Sequence, residues 1–232
     1  MNKLLATLLI SFSLISFPSW AADFDKGLAA AQSGDFATAL REWTPLAEQG
    51  DIDSQYRLGI MYHYGDGVIQ DYKTAVKWYT LAAEQGHAKA QANLGGMHGT
   101  GKGVIQDYKT AVKWYTLAAE QGHAKAQYIL GIMYHNGDGV IQDYKTALKW
   151  YTLSAEHGNA DAQFNLSRLY GTGKGVIQDY AYAHMWANIS RANGRKEGGQ
   201  LIELFETKMT PAQLEKAQDL ARACVAKEYK GC

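Results

Sequence analysis

The chain has 232 residues, 47% of them hydrophobic, and its 23 basic and 23 acidic side chains balance to a formal charge of zero. That length suits one extended repeat array or one to two compact domains, and the apolar fraction excludes a disordered polymer. No long run of either sign occurs, so the concentrated basic face that nucleic acid or an anionic membrane surface requires is missing, and neither is expected as a partner.

Lys3, the apolar run Leu4 to Phe17 and then Pro18-Ser19-Trp20-Ala21 follow the basic, apolar and small-x-small order of a secretory leader, which makes residues 1–21 a signal peptide. The apolar run is shorter than the roughly 20 residues a spanning helix needs, and Pro18 ends it. No later stretch is longer. The expectation is a monomeric protein of the periplasm or the extracellular space, with no stable membrane insertion after cleavage and a net charge near −1 once Lys3 is lost.

Residues 22–232 read as a single repeat domain. It opens with a capping helix pair over 22–50: Phe24 to Gln32, a turn at Ser33-Gly34-Asp35, then Phe36 to Gln49, with Trp43 and Leu46 facing inward. Beyond it Trp78, Trp114, Trp150 and Trp186 recur every 36 residues, as does Val-Ile-Gln-Asp-Tyr from Val68, Val104, Val140 and Val176, and residues 68–91 are identical to 104–127. Four units follow, at 51–86, 87–122, 123–158 and 159–194.

Each unit reads as two helices. In the second, helix A covers about Ala90 to Met97, the glycines of Gly101-Lys102-Gly103 supply the positive φ of a helix exit, Asp107 caps helix B, and helix B runs from Tyr108 to about Gln121 before Gly122. Ala111, Tyr115, Ala118 and Ala119 fall at i, i+4, i+7 and i+8, a stripe that one hairpin cannot bury alone. The predicted fold is all-α, an α-solenoid in which antiparallel helix pairs stack into a right-handed, tetratricopeptide-like superhelix.

Residues 195–232 form the C-terminal cap, with a helix near 200–208 and a last helix opened by the capping box Thr210-Pro211-Ala212-Gln213 and reaching about Glu228. The two cysteines, Cys224 and Cys232, lie there, and an oxidising compartment would let them pair. A continuous helix would hold them about 12 Å apart, too far to bridge, so the helix must stop before Gly231 if they do. A loop this short would contribute at most about 2–3 kcal/mol.

The recurring Ala-x-x-x-Leu-Gly-x-Met-Tyr, Gly-x-Gly-Val, Asp-Tyr-x-x-Ala-x-x-Trp-Tyr and Ala-Ala-Glu-x-Gly resemble the Sel-one-like repeat, a relative of the tetratricopeptide repeat with a longer turn. The fourth unit departs from the pattern, with Ser167 for the helix-A glycine and Ala183-His184-Met185 before Trp186. The resemblance implies an interaction scaffold that binds a protein or peptide along a concave face lined by the A helices.

The units differ mainly on that face. One position carries Tyr56, Ala92, Tyr128 and Phe164, the next turn Ile60, Gly96, Ile132 and Arg168, the next His63, Gly99, His135 and Gly171. These lie at i, i+4 and i+7 and so share one side of the helix. The larger of them, Tyr56, Ile60, His63, Tyr128, Ile132, His135, Phe164 and Arg168, are the candidate partner contacts. Units one and three are alike, with Asp66 and Asp138 in the loop, whereas units two and four carry Lys102 and Lys174, which suggests a 72-residue doublet.

Catalytic, metal and cofactor sites are not expected. The chain has no HExxH, Ser-x-x-Lys, Gly-x-Ser-x-Gly, phosphate loop or CxxC. His63 and His135 sit two units apart with no second ligand nearby, the Gly-Asp-Gly loops lack the oxygen density of a calcium site, and His87 and His123 read as solvated turn residues. Two alternatives accompany the scaffold reading: binding of peptidoglycan or another envelope polysaccharide, and a β-lactamase-like hydrolase, as implied by the cysteine-rich branch of the family, whose in-repeat cysteines are missing here.

Overall fold

The computed structural model describes residues 22–232, so the expected leader, residues 1–21, lies outside the described residues. Among these, helices account for all regular structure: α1 (Phe24–Gln32), α2 (Phe36–Glu48), α3 (Ile52–Tyr64), α4 (Tyr72–Glu84), α5 (Ala88–Thr100), α6 (Tyr108–Glu120), α7 (Ala124–Asn136), α8 (Tyr144–Ala155), α9 (Ala160–Thr172), α10 (Tyr180–Ala192), α11 (Gly198–Glu206) and α12 (Pro211–Ala226). Each packs on its predecessor and successor from α1 to α11, and α12 returns onto α10, as in an α-solenoid built from helix hairpins.

Local chemistry sets the helix ends. Asp71, Asp107, Asp143 and Asp179 cap the B helices by accepting from first-turn backbone N–H groups, and in three units a threonine hydroxyl three residues on (Thr74, Thr110, Thr146) donates to the second carboxylate oxygen at 2.6–2.7 Å. The A helices end on left-handed glycines, and the loop glycine that follows locks units together. Gly103 has φ 72°, and a Cβ there would meet the Tyr72 carbonyl oxygen of the previous unit at 2.4 Å. Only glycine fits both demands.

Within a hairpin, the helix-A glycine admits the helix-B tyrosine. A Cβ on Gly59 or Gly131 would come within 2.4 Å of the ring of Tyr79 or Tyr151, and one on Gly95 within 3.0 Å of Tyr115. The departure in unit four follows from this pairing. Ala187 stands where the others have tyrosine, and Ser167 fills the vacated space and donates to the Ala183 carbonyl at 2.7 Å. His184, Met185 and Trp186 are buried because α10 is covered by α11 and α12 as well as α9.

Between hairpins, one buried glutamine per unit reaches the end of the preceding B helix. Gln55, Gln91, Gln127 and Gln163 donate to the carbonyls of Ala47, Ala83, Ala119 and Ala155 at 3.0–3.2 Å. Three of them also accept a side-chain amide from thirty residues on: Gln85 onto Gln55, Gln121 onto Gln91 and Asn193 onto Gln163. In unit three that position is His157, and the Gln127 side-chain oxygen is buried without a partner.

At the C-terminus Cys224 and Cys232 are joined, their Cα atoms 5.5 Å apart. The helix stops at Ala226, and the chain reverses through left-handed Glu228 and Tyr229 before Gly231, an earlier turn than the sequence suggests. Tyr229 donates to Asn193 at 3.1 Å, and Glu156 accepts from the Gly231 N–H at 3.0 Å, so the closed loop is tied back to the array.

Replacing His157 by Gln should give the Gln127 oxygen its missing donor and raise stability by about 1 kcal/mol, read as an upward shift of the unfolding midpoint. An unchanged or lower midpoint would mean that the third junction lacks nothing.

Candidate functional site

The A helices α3, α5, α7 and α9 stand side by side and carry the residues that vary between units. Tyr56 is half-buried, stacked on the His87 ring at a centroid distance of 4.3 Å and tilted against Tyr79 at 6.1 Å. Tyr128 meets Tyr151 in the same way at 6.1 Å, and the Arg195 guanidinium lies 5.1 Å over the Phe164 ring. Ile60 and Ile132 are half-buried against adjoining core clusters. His63 and His135 stand edge-on to Tyr72 and Tyr144 at 5.4 and 5.0 Å, each with Nδ1 buried and unpartnered, and Arg168 is exposed.

These side chains do not form one continuous site. Between the bulky faces of units one and three, Ala92, Gly96 and Gly99 leave α5 nearly bare, and a cleft of about 350 Å³ opens there, walled by Tyr56 and His63 on one side and His123 and Ile129 on the other. Tyr128, Ile132, His135, Phe164 and Arg168 lie outside it. Gly171, the counterpart of Gly99 in unit four, is covered by α11, since a Cβ there would meet the Phe205 ring at 2.5 Å, while the counterpart of Gly96 is the exposed Arg168.

His87 and His123 are half-buried N-caps and not the solvated turn residues the sequence suggests. Their Nδ1 atoms accept from the N–H groups of Ala90 and Ala126 at 3.1 and 3.2 Å, and α5 so starts two residues before the Ala90 expected from the sequence. Burial lowers the proton affinity of both rings. Asp53, 3.5 Å from His87 Nε2, pulls that ring partly back up, while Lys89 and Lys125 push His123 further down. Burial likewise lowers His63, His98 and His135.

Two further features escaped the sequence reading. The glutamine bridges carried a signal, a polar residue recurring every 36 positions inside an apolar stripe. So did Ile69, Ile105, Ile141 and Ile177, which recur in the loops, are 89–91% exposed and do not line the cleft. Trp43, Trp150 and Trp186 are buried, and Trp78 and Trp114 pack half-buried against the core of the preceding unit. No helix among the described residues is long and apolar enough to cross a membrane.

A stack of helix hairpins with an A-helix groove defines the tetratricopeptide-like class of solenoid. Within that class the Sel1 repeat matches residues 52–87, 88–123, 124–159 and 160–194, more than half of the chain, and the protein belongs to the Sel1 repeat family. It is similar to a Sel1 repeat protein of Oxalobacter formigenes, at 34% identity and a TM-score of 0.75 over 78% of this chain and 74% of that one. It is also similar to a protective antigen of uropathogenic Escherichia coli with an SLR fold, at 34% identity and a TM-score of 0.78 over 89% of this chain. This chain covers 46% of that antigen. No curated protein matches.

Unfolded imidazoles take up protons near pH 6.5, the folded ones only at lower pH, so their contribution to stability is complete above about 6.5 and is lost as pH falls through the folded values. The thermal midpoint should therefore drop between pH 7.5 and 5, before the capping aspartates titrate. The double variant His87→Asn, His123→Asn, which installs the cap found at Asn159, should flatten that slope. An equally steep slope in the variant would remove the two caps from the explanation.

Proposed function

We propose that this chain is an exported scaffold or adaptor, without catalytic activity, that binds a protein or peptide along the concave A-helix face. Proteins of the Sel1 repeat family generally act as protein–protein interaction scaffolds. The observation that carries the reading is where variation sits: residues 68–91 and 104–127 are identical, whereas the A-helix side changes from Tyr56, Ile60 and His63 to Ala92, Gly96 and Gly99. A framework repeated without change beside one variable face is what a binding array needs. The pairing of Cys224 with Cys232 supports an oxidising compartment, and thus the periplasm or the exterior.

Polysaccharide binding draws less support, since sugars stack on flat exposed rings and the tryptophans pack into or against the core. For the hydrolase reading, the repeats hold no cysteine and no Ser-x-x-Lys.

Affinity capture from the parent cell's envelope fraction and culture fluid should recover a specific protein with the wild type and lose it with Tyr56→Ala, Tyr128→Ala. Helicity should be kept in that double variant. Its melting point should fall by several degrees, because Tyr56 is half-buried on His87. A folded variant that captures the same protein at full yield would contradict the groove.

A further inference from the structure

The cleft over α5 gives the A-helix side depth, and its charge has a single sign. Lys89, Lys102 and Lys125 line it, and no acidic residue does. Helix stability does not account for two of these. Lys89 and Lys125 sit in the first turns of α5 and α7, where the helix dipole disfavours a cation, and the same position holds Asp53 in α3 and Asp161 in α9. The caps change in step, from Asp51 and Asn159 at the outer units to neutral His87 and His123 at the inner ones. Asp53, the nearest carboxylate on the α3 side, is engaged by His87 at 3.5 Å.

A second observation points to a ligand. Tyr115 lines the cleft floor with only 7% of its surface exposed, and its hydroxyl has no hydrogen-bond partner in the protein. Tyr79 and Tyr151, its counterparts in units one and three, lie under Tyr56 and Tyr128. In unit two the covering residue is Ala92, and a Cβ on Gly96 would already come within 3.2 Å of the hydroxyl. The bare face of α5 thus leaves the Tyr115 hydroxyl facing the cleft, whereas the Tyr79 hydroxyl, equally without a partner, is fully buried.

We propose that this cleft binds an acidic, extended segment of the partner protein, with a glutamate or aspartate carboxylate accepting from the Tyr115 hydroxyl and neighbouring carboxylates paired with the lysines. The 13 residues of α5 span about 20 Å at 1.5 Å per residue, with Lys89 in its first turn and Lys102 just past its end. Roughly six extended residues cover that length. A segment passing through with more than one acidic side chain meets the geometry; a lone chain-terminal carboxylate does not. The inference rests on the reading of the A-helix side as a binding groove.

Fluorescein-labelled hexaglutamate, followed by anisotropy on the intact protein, should bind saturably and at least tenfold more tightly than labelled hexaglutamine. Ala92→Tyr with Gly96→Ile gives unit two the residues that units one and three already hold; it fills the cleft without changing charge and should weaken binding at least tenfold. Lys89→Gln with Lys125→Gln should do so as well, which gives a second route if the filled variant fails to fold. Equal binding of the two probes, or full affinity in the folded filled variant, would overturn the proposal.

A parallel selection of phage-displayed random dodecapeptides separates this inference from the groove reading beneath it. Acidic peptides lost on filling the cleft support both. Neutral peptides lost in Tyr56→Ala, Tyr128→Ala overturn the acidic preference and leave the groove, and selection of nothing removes both.

Discussion

Everything in this fold depends on the fact that a helix hairpin with one apolar stripe cannot bury it alone. Helix B presents alanines and, in the first three units, a tyrosine to its own helix A and turns its tryptophan toward the preceding unit, so each core cluster draws residues from neighbouring hairpins. The buried glutamines make this stacking specific. An amide placed in an apolar seam costs free energy unless its partners are met, and here they are met by the end of the helix before and, for all but Gln127, by the side chain thirty residues after. Sliding one unit against the next would break these bonds as well as the apolar contacts.

That constraint divides each unit into positions that cannot change and positions that can. The glycine beneath the tyrosine, the loop glycine against the previous helix, the glutamine and the small residues of helix B are fixed by contact. Where one of a contacting pair changes, the other changes too, as Ser167 does with Ala187. The outward side of helix A has no such obligation. Its alternation of large and small residues shapes the groove, and the cleft over α5 opens where the small residues of unit two lie beside Tyr56 and His63 of unit one.

The fold was legible because a 36-residue period with glycine and aspartate punctuation admits few architectures, and the helix-B boundaries fell within a residue of expectation. What was not legible required contact information. His87 and His123 follow a turn glycine, and nothing in one dimension says that their rings fold back to cap α5 and α7. The variable face could be drawn as a stripe, but that Phe205 would cover Gly171 depends on where α11 lands. The lysines of units two and three were visible singly; their convergence on one cleft was not.

The central claim is that partners sit against the A helices. The row of exposed isoleucines, Ile69 to Ile177, is the competing surface on the same molecule. Site-specific photocrosslinking in the parent cell decides between them most directly, with a benzophenone side chain placed in turn at Lys89, Arg168, Ile105 and Ile141. The account predicts a discrete crosslinked product from Lys89 and Arg168 and none from the two isoleucine positions. Crosslinks confined to Ile105 and Ile141 would contradict it and move the interface to the loop edge.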